Sequence, residues 1–391
     1  MYQTGYAIYV EDFIFLWHAA LSGVEVQESG NASTHSRTST SRAMRVQGEG
    51  GTLMLEAFAK RAARFARVAA EQAETIVGRP FRLVLTNAGY AFPNGANTRG
   101  ALDELLRLPE LSLGTETLLD VHTAADKPLW FFFVGTDGRR GAFLRVRDAA
   151  WERDADGELR PEEILSEETE TVELTAEALR GSGATFGRFG GAFFSVVSIA
   201  YLALHGAPPE LLRAAQFHDH LCPGVTSGYL IATYLKRHLP LRSPDERYVI
   251  LSLPPWCKDD ALQILLNTTP GKSGLYVIPL NERSKGRLRP EARTLAGVYF
   301  RVPREGSPAE GLILGFRWEE AYRLLGIPRE AEAFRLENLL ALDLLFAEYL
   351  DRPETFVHTL REISLPEGTR PEDLVQPGTD VLAALNLADP L

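Results

Sequence analysis

Only two cysteines, Cys222 and Cys257, occur in the 391-residue chain. A small secreted scaffold stapled by disulfides is therefore excluded, and both thiols are available as ligands in a reducing compartment. Basic residues are also in deficit, with 41 lysines and arginines against 52 aspartates and glutamates and a net charge of −11. Nucleic-acid binding by broad phosphate neutralisation needs a basic face, and no Lys/Arg cluster supplies one. Long apolar runs are lacking near the start. The run from Phe13 to Leu21, with His18 inside it, falls short of the roughly 20 residues that span a bilayer. It also follows Glu11 and Asp12, where a signal peptide carries basic residues. The chain reads as cytoplasmic, with neither a membrane nor a nucleic acid as partner.

What is present is ample apolar material: 45% of residues are hydrophobic, enough for buried cores in about two or three domains. Residues 1–53 stand apart. Their Ser/Thr/Gly-rich stretch from Ser29 to Gly51 offers no periodic apolar face, which predicts a disordered or non-native extension. Gly48, Glu49, Gly50 and Gly51 match the translation of a purine-rich ribosome-binding sequence, which makes Met54 the expected start of the native protein. From Met54 to Val77 the spacing of Leu55, Phe58, Ala62, Phe65 and Val68 predicts a helix stopped by Gly78. Strands are expected over Phe81 to Thr86, Thr117 to His122, Leu129 to Val134 and Ala142 to Val146, with a helix near Arg99 to Leu108. Residues 54–150 thus form a first unit, and the acidic stretch 151–185 reads as a solvated connector with some helix.

The same order recurs in residues 186–318. Helices are expected up to Leu204, over Pro223 to His238 and over Asp259 to Leu266, with strands over Tyr248 to Leu253, Leu275 to Leu280, Ala296 to Val302 and Leu312 to Trp318. Short stretches echo one another: Ala101, Leu102, Asp103, Glu104, Leu105 and Leu106 recur as Ala261, Leu262, Gln263, Ile264, Leu265 and Leu266. Gly114 to Leu118 likewise recur as Gly271 to Leu275. The fold class expected is α+β: two diverged copies of one helix-strand-helix-strand unit with mixed or antiparallel sheets, plus a helical C-terminal tail over 319–391. In that tail Leu336, Leu339, Leu340, Leu344 and Ala347 share a face that Asp343 interrupts. The tail is expected to lie on the second copy or on a partner.

The chemistry concentrates in Phe217, His218, Asp219, His220, Leu221, Cys222, Pro223 and Gly224. His218, His220 and Cys222 alternate, and Pro223 biases Cys222 toward extended backbone. In an extended segment the three side chains project to one side, where two imidazoles and a thiolate can converge on one ion. Pro223 also opens a helix, whose positive end is expected to favour the Cys222 thiolate. The competing reading makes the two histidines caps of the preceding helix and Cys222 a small buried hydrophobe. Cys257, at a strand-to-helix junction, is a candidate fourth ligand or a packed thiol. Zinc or another divalent transition metal is the cofactor implied. Weaker candidates, for a small anionic ligand, are Lys272, Thr269 and Asp260. The stretch from Thr268 to Gly274 lacks P-loop spacing, and the glycine-rich segment 181–191 does not match the dinucleotide fingerprint, reading instead as a lid or helix lead-in. Thr86 to Tyr90 and Asn94 to Thr98 cluster polar and turn residues at a strand end, which turn chemistry explains equally well.

These residues resemble the FmdE family, which takes its name from a component of formylmethanofuran dehydrogenase. Its motif FHGHxCPG, followed by a helix beginning Gly-Tyr, is matched by Phe217 to Gly224 and by Gly228 and Tyr229. Its later cysteine, its Asp-Ala-hydrophobic-Gln run and its Gly-Lys turn are matched by Cys257, by Asp260 to Gln263 and by Thr269 to Lys272. The likeness covers about residues 190–280. Asp219 replaces the usual glycine, Thr268 stands where a second cysteine is usual, and the C-terminal zinc-ribbon cysteines of longer members are absent. The resemblance implies an FmdE-like α+β fold with zinc or a similar divalent ion, and because the first copy lacks the His218, His220 and Cys222 triplet, metal chemistry is expected in the second copy alone. It also suggests, as an alternative to an enzyme, a metal carrier, sensor or accessory subunit docking on a larger molybdenum or tungsten oxidoreductase, or acting as a homo-oligomer.

Overall fold

The computed structural model describes residues 49–154, 157–166, 170–175, 178, 191–303, 308–327 and 336–389. Residues 1–48, read above as a disordered or non-native extension, and 181–190, read as a lid or lead-in, lie outside them. The described residues divide into two compact units, the first running through Ala178 and taking in the chain up to Val196, the second beginning at Val197.

The first unit comprises α1 (Glu49–Val77), β1 (Leu83–Thr86), α2 (Gly100–Leu105), β2 (Leu118–Asp120), β3 (Trp130–Val134), β4 (Arg140–Arg145), α3 (Asp148–Arg153), α4 (Pro161–Ile164) and β5 (Glu170–Glu173). Helix α1 begins five residues before the expected Met54. Its small and aromatic stripe of Ala62, Phe65, Ala66, Ala69 and Ala73 is buried in one core with Phe131, Phe133, Ala142 and Leu144 of the sheet. Burial of that stripe is what holds a helix of mixed composition against the sheet. The sheet order is β2-β1-β3-β4-β5, with β1 and β2 parallel and every other pair antiparallel. The acidic connector is therefore partly structural, because Thr171 and Val172 pair with Ala142 and Gly141 as an edge strand.

The second unit takes up the C-terminal part of α5 (Gly191–Leu204) and continues with α6 (Pro209–Phe217), α7 (Pro223–His238), β6 (Arg247–Ser252), α8 (Lys258–Leu266), β7 (Leu275–Val277), α9 (Glu282–Gly286), β8 (Leu295–Val302), β9 (Glu310–Phe316), α10 (Trp318–Leu325), α11 (Leu336–Ala347), β10 (Val357–Ser364) and α12 (Val381–Ala384). Its sheet order is β10-β9-β8-β6-β7, again with one parallel pair, β6 with β7, and antiparallel pairs elsewhere. Position for position the ladders correspond: Val84 faces Leu118 and Phe133, and Ile250 faces Leu275 and Tyr299. Leu118 and Leu275 are the two leucines that the sequence echo pairs.

The α+β class, the two sheet units and the helical C-terminal segment expected from the sequence are present. The C-terminal segment also supplies β10, which completes the second sheet beside β9. Below that sheet, Val249, Leu251, Val298 and Ile313 are buried with Val381, Leu382 and Leu385 of the last helix.

Candidate metal centre

Helix α6 ends at Phe217, and the backbone of the next residue, His218, is still helical (φ −79°, ψ −1°). Asp219 then adopts φ +69°, the left-handed region that favours glycine and that aspartate tolerates better than most residues. This reversal turns the chain toward Cys222, which is extended (φ −143°, ψ 163°) and precedes α7 with Pro223 in its first turn. The backbone between the histidines is thus a tight turn and not the extended segment expected from the alternation. Only the Cys222 end is extended, as Pro223 dictates. Ser198 of α5 fixes the middle of the turn, its Oγ accepting the Leu221 N–H at 3.0 Å.

The turn brings His218, His220 and Cys222 together with Cys257, which sits just before α8. One ligand atom from each lies within 4.8 Å of the others. Donors bound to one tetrahedral zinc sit roughly 3.3–3.8 Å apart, so movements on the order of 1 Å close the set on an ion. Each imidazole is oriented from its other side. His218 Nδ1 meets Asp260 Oδ2 at 2.6 Å, and His220 Nδ1 meets Asp219 Oδ1 at 2.5 Å. A carboxylate on Nδ1 fixes the proton there and turns the Nε2 lone pair toward the centre, as in carboxylate-histidine-metal triads. His218 Nε2 is buried and has no hydrogen-bonding oxygen or nitrogen among the described residues. A buried basic nitrogen left so is costly, and an ion at the centre would satisfy it.

Glycines create the space. A Cβ at Gly224 would lie 2.8 Å from Cys257 Cβ, 3.2 Å from Cys257 Sγ and 3.5 Å from Cys222 Sγ. One turn on, a Cβ at Gly228 would lie 2.6 Å from the Lys258 carbonyl oxygen and 2.7 Å from Ala261 Cβ. The face of α7 that carries both glycines can therefore approach α8 closely enough to bring the two thiols together.

A buried polar network sets the loop that carries Cys257. The Lys258 ammonium, fully buried, donates to Asp259 Oδ1 at 2.6 Å, Ser252 Oγ at 2.9 Å and the Pro254 carbonyl at 3.2 Å. It also lies 4.1 Å from the centre of the Trp256 ring. All three of its protons are used, which is what a buried charge requires. Burial lowers the Lys258 pKa, opposed by Asp259 and Cys257. Asp259 Oδ2 accepts from Ser252 Oγ and the Trp256 N–H. Trp256 Nε1 donates to Ser227 Oγ, and Ser227 Oγ donates to the Gly224 carbonyl. The chain of bonds runs from the Cys257 loop to the first turn of α7.

The thiolate expected at the start of α7 is not favoured by the protein alone. Burial pushes the Cys222 thiol up to about 12, reinforced by Cys257 and opposed by the two histidines. Desolvation of a charged sulfur outweighs a helix terminus here. For His218, burial works against the charged ring, but the bond to Asp260 and the neighbouring Cys222 raise its pKa overall. A cation is what would reverse the balance at the Cys222 sulfur.

Of the weaker candidates, Asp260 belongs to the centre through His218. Lys272 is exposed, pairs with the Asn267 side chain, and shares with Thr269 the turn that leads into β7. Thr268, where a second cysteine is usual in the resembling family, is buried and donates to the Leu262 carbonyl at 3.0 Å, closing the end of α8. Ser198, Ser227, Trp256, Lys258 and Asp259 were not singled out in the sequence. The one local signal for any of them is the acidic pair Asp259 and Asp260 in the first turn of α8, where negative side chains suit a helix start.

No helix among the described residues is long and apolar enough to cross a membrane. Comparison with curated proteins finds no match. Residues 217–294, which hold all four ligand-type side chains together with α7, β6, α8 and β7, match the family described as "FmdE, Molybdenum formylmethanofuran dehydrogenase operon", and over that segment the chain is FmdE-like.

Proposed function

We propose that the chain is a metal-binding protein holding zinc, or a similar divalent ion, through His218 and His220 Nε2 and Cys222 and Cys257 Sγ. The observation that carries this reading is the convergence of four ligand-type atoms within 4.8 Å, with both imidazoles already oriented by carboxylates. Two thiolates and two imidazoles suit zinc better than magnesium or calcium, which take oxygen ligands. Four protein donors make a closed shell, and zinc so held contributes folding free energy instead of activating a water. The four-donor set therefore favours a carrier, sensor or structural role over catalysis. The family description names a molybdenum formylmethanofuran dehydrogenase operon, which favours, among such roles, an accessory subunit beside a larger oxidoreductase. The matching sheet orders and ladder positions support a duplication in which the first copy kept the fold without the ligands.

Metal content of the purified chain tests the site. About one zinc per chain is expected in the wild type, with strong loss in His220→Ala and in Cys222→Ala; undiminished zinc in both variants rejects the assignment. In the cobalt-substituted chain, a tetrahedral visible spectrum that azide leaves unchanged is expected of a closed shell. A spectrum shifted by azide would return the centre to the open, catalytic class.

A further inference from the structure

Asp343 is the acidic residue that interrupts the apolar face of α11, and it is completely buried there with Leu339, Leu340, Leu342 and Phe346. No cation pairs with it among the described residues, and its Oδ2 has no hydrogen-bond partner among them. Its Oδ1 lies 2.5 Å from Thr226 Oγ1 in the first turn of α7. The Thr226 hydroxyl also lies 3.3 Å from the carbonyl oxygen of Cys222, the same oxygen that accepts the Thr226 backbone N–H at 3.1 Å.

The hydroxyl has one hydrogen and two oxygens within reach, so both contacts are hydrogen bonds at once only if one of those oxygens brings a proton of its own. A carbonyl cannot. A carboxylic acid can, and an uncompensated carboxylate in an apolar setting is strongly disfavoured. Burial raises the Asp343 pKa well above the ordinary carboxylate range, opposed only by Thr226. As a neutral acid Asp343 can donate to Thr226 Oγ1, which leaves the Thr226 hydrogen for the Cys222 carbonyl.

We infer that Asp343 is a positioning residue of the metal centre, acting through Thr226 to hold the backbone of Cys222 in its extended, ligand-presenting conformation. The inference rests on the metal-binding reading and adds α11, outside the matched segment 217–294, to the structure that shapes the site. Because the link runs both ways, metal loading and the packing of α11 on α7 stabilise each other by the same factor.

The test uses the full chain, with zinc affinity read by competition against a chromophoric chelator and the unfolding temperature of the metal-free protein read beside it. Asp343→Asn keeps a neutral donor of the same shape and is expected to keep its affinity within about threefold, whereas Asp343→Leu is expected to weaken zinc by about tenfold or more, the scale found for groups behind metal ligands. Metal-free Asp343→Leu should melt no lower than the wild type, since an apolar isostere removes an unsatisfied buried polar atom. Thr226→Val should reproduce the loss, and the double variant should lose no more than either single one. Wild-type affinity in Asp343→Leu or in Thr226→Val overturns the inference, as does an equal loss in Asp343→Asn and Asp343→Leu. Should Asp343→Leu fail to fold, Thr226→Val alone decides. A wild-type chain that takes up no zinc overturns the metal-binding reading itself, a result distinct from every one above.

Discussion

Gly224 shows how little room the proposed centre leaves. Its missing side chain lets the first turn of α7 sit against both sulfurs, and a methyl group there would press on Cys257 Cβ at 2.8 Å. Alanine is a better helix former than glycine, so Gly224→Ala should keep or raise helical content while weakening zinc by an order of magnitude or more. Circular dichroism beside a zinc titration checks this, and unchanged affinity would mean that the thiols do not need their present spacing. Asp120, at the end of β2, makes a contrasting case in the first unit. Burial raises its pKa from 3.8 to about 6, opposed by the Gly89 N–H and by Arg99. An acid whose pKa rises on folding binds its proton more tightly in the folded state, so its contribution is most favourable below pH 3.8 and is lost as the pH climbs through 6. Asp120→Asn keeps an acceptor for the Gly89 N–H, 2.9 Å away in the wild type. The variant should be more stable than the wild type at pH 7.5 by about 1–2 kcal/mol, after allowance for partial exposure, and the gap should close toward pH 4.5. Denaturant titrations at the two pH values measure it, and a gap that widens toward acid would show the burial argument to be wrong.

Elements were legible in proportion to how local their signal is. Strands β1, β3, β6, β8 and β9 are short apolar runs buried almost throughout, and continuous apolar runs of that length mark interior strands. Strand β5, reading Glu-Thr-Val-Glu, and strand β10, reading Val-His-Thr-Leu-Arg-Glu-Ile-Ser, escaped notice because both are edges rich in charged and polar residues, unlike the leucine-bearing edges β2 and β7. An edge strand pairs on one side only and carries charge as protection against further pairing. Their polar composition looks like a connector or a tail until the sheet beside them is known. Helix α7 was legible at its start because Pro223 opens it. The candidate site divides in the same way. His218, His220 and Cys222 lie within five residues and announce themselves, whereas Lys258, Trp256 and Ser227 are joined only by packing between α7 and the β6-α8 loop. Asp343 lies 117 residues from its partner Thr226. Its interruption of an apolar face was visible, but the hydroxyl that accounts for it was not.

At the scale of the whole chain, two units share one strand order and one pattern of pairing, yet the four ligand-type side chains gather in the second alone. The same architecture is thus stabilised in two ways. In the first, burial of Phe65, Phe131, Phe133 and Trp151 holds helices to sheet and the Arg64 to Asp154 ion pair at 2.5 Å ties α1 to the end of α3, with no cluster of metal-ligand side chains among the described residues. In the second, the loops that carry Cys222 and Cys257 meet where burial favours the neutral Cys222 thiol, and an ion should relieve that mismatch. A ligand that binds only the folded state raises stability by RT ln(1 + [L]/Kd), about 2.7 kcal/mol at a hundred times Kd, which for a unit of this size corresponds to roughly 5–10 °C in Tm. Calorimetry of the full chain with excess zinc and then with a chelator should therefore move one unfolding transition by that amount and leave the other in place. Hydrogen exchange identifies which is which, with added protection by zinc expected over 217–266 and α11 and none over α1 and β1–β4. A chelator that shifts both transitions equally, or neither, would contradict a metal confined to the second unit, because two units of equal fold and unequal ligands cannot respond alike to the same ion.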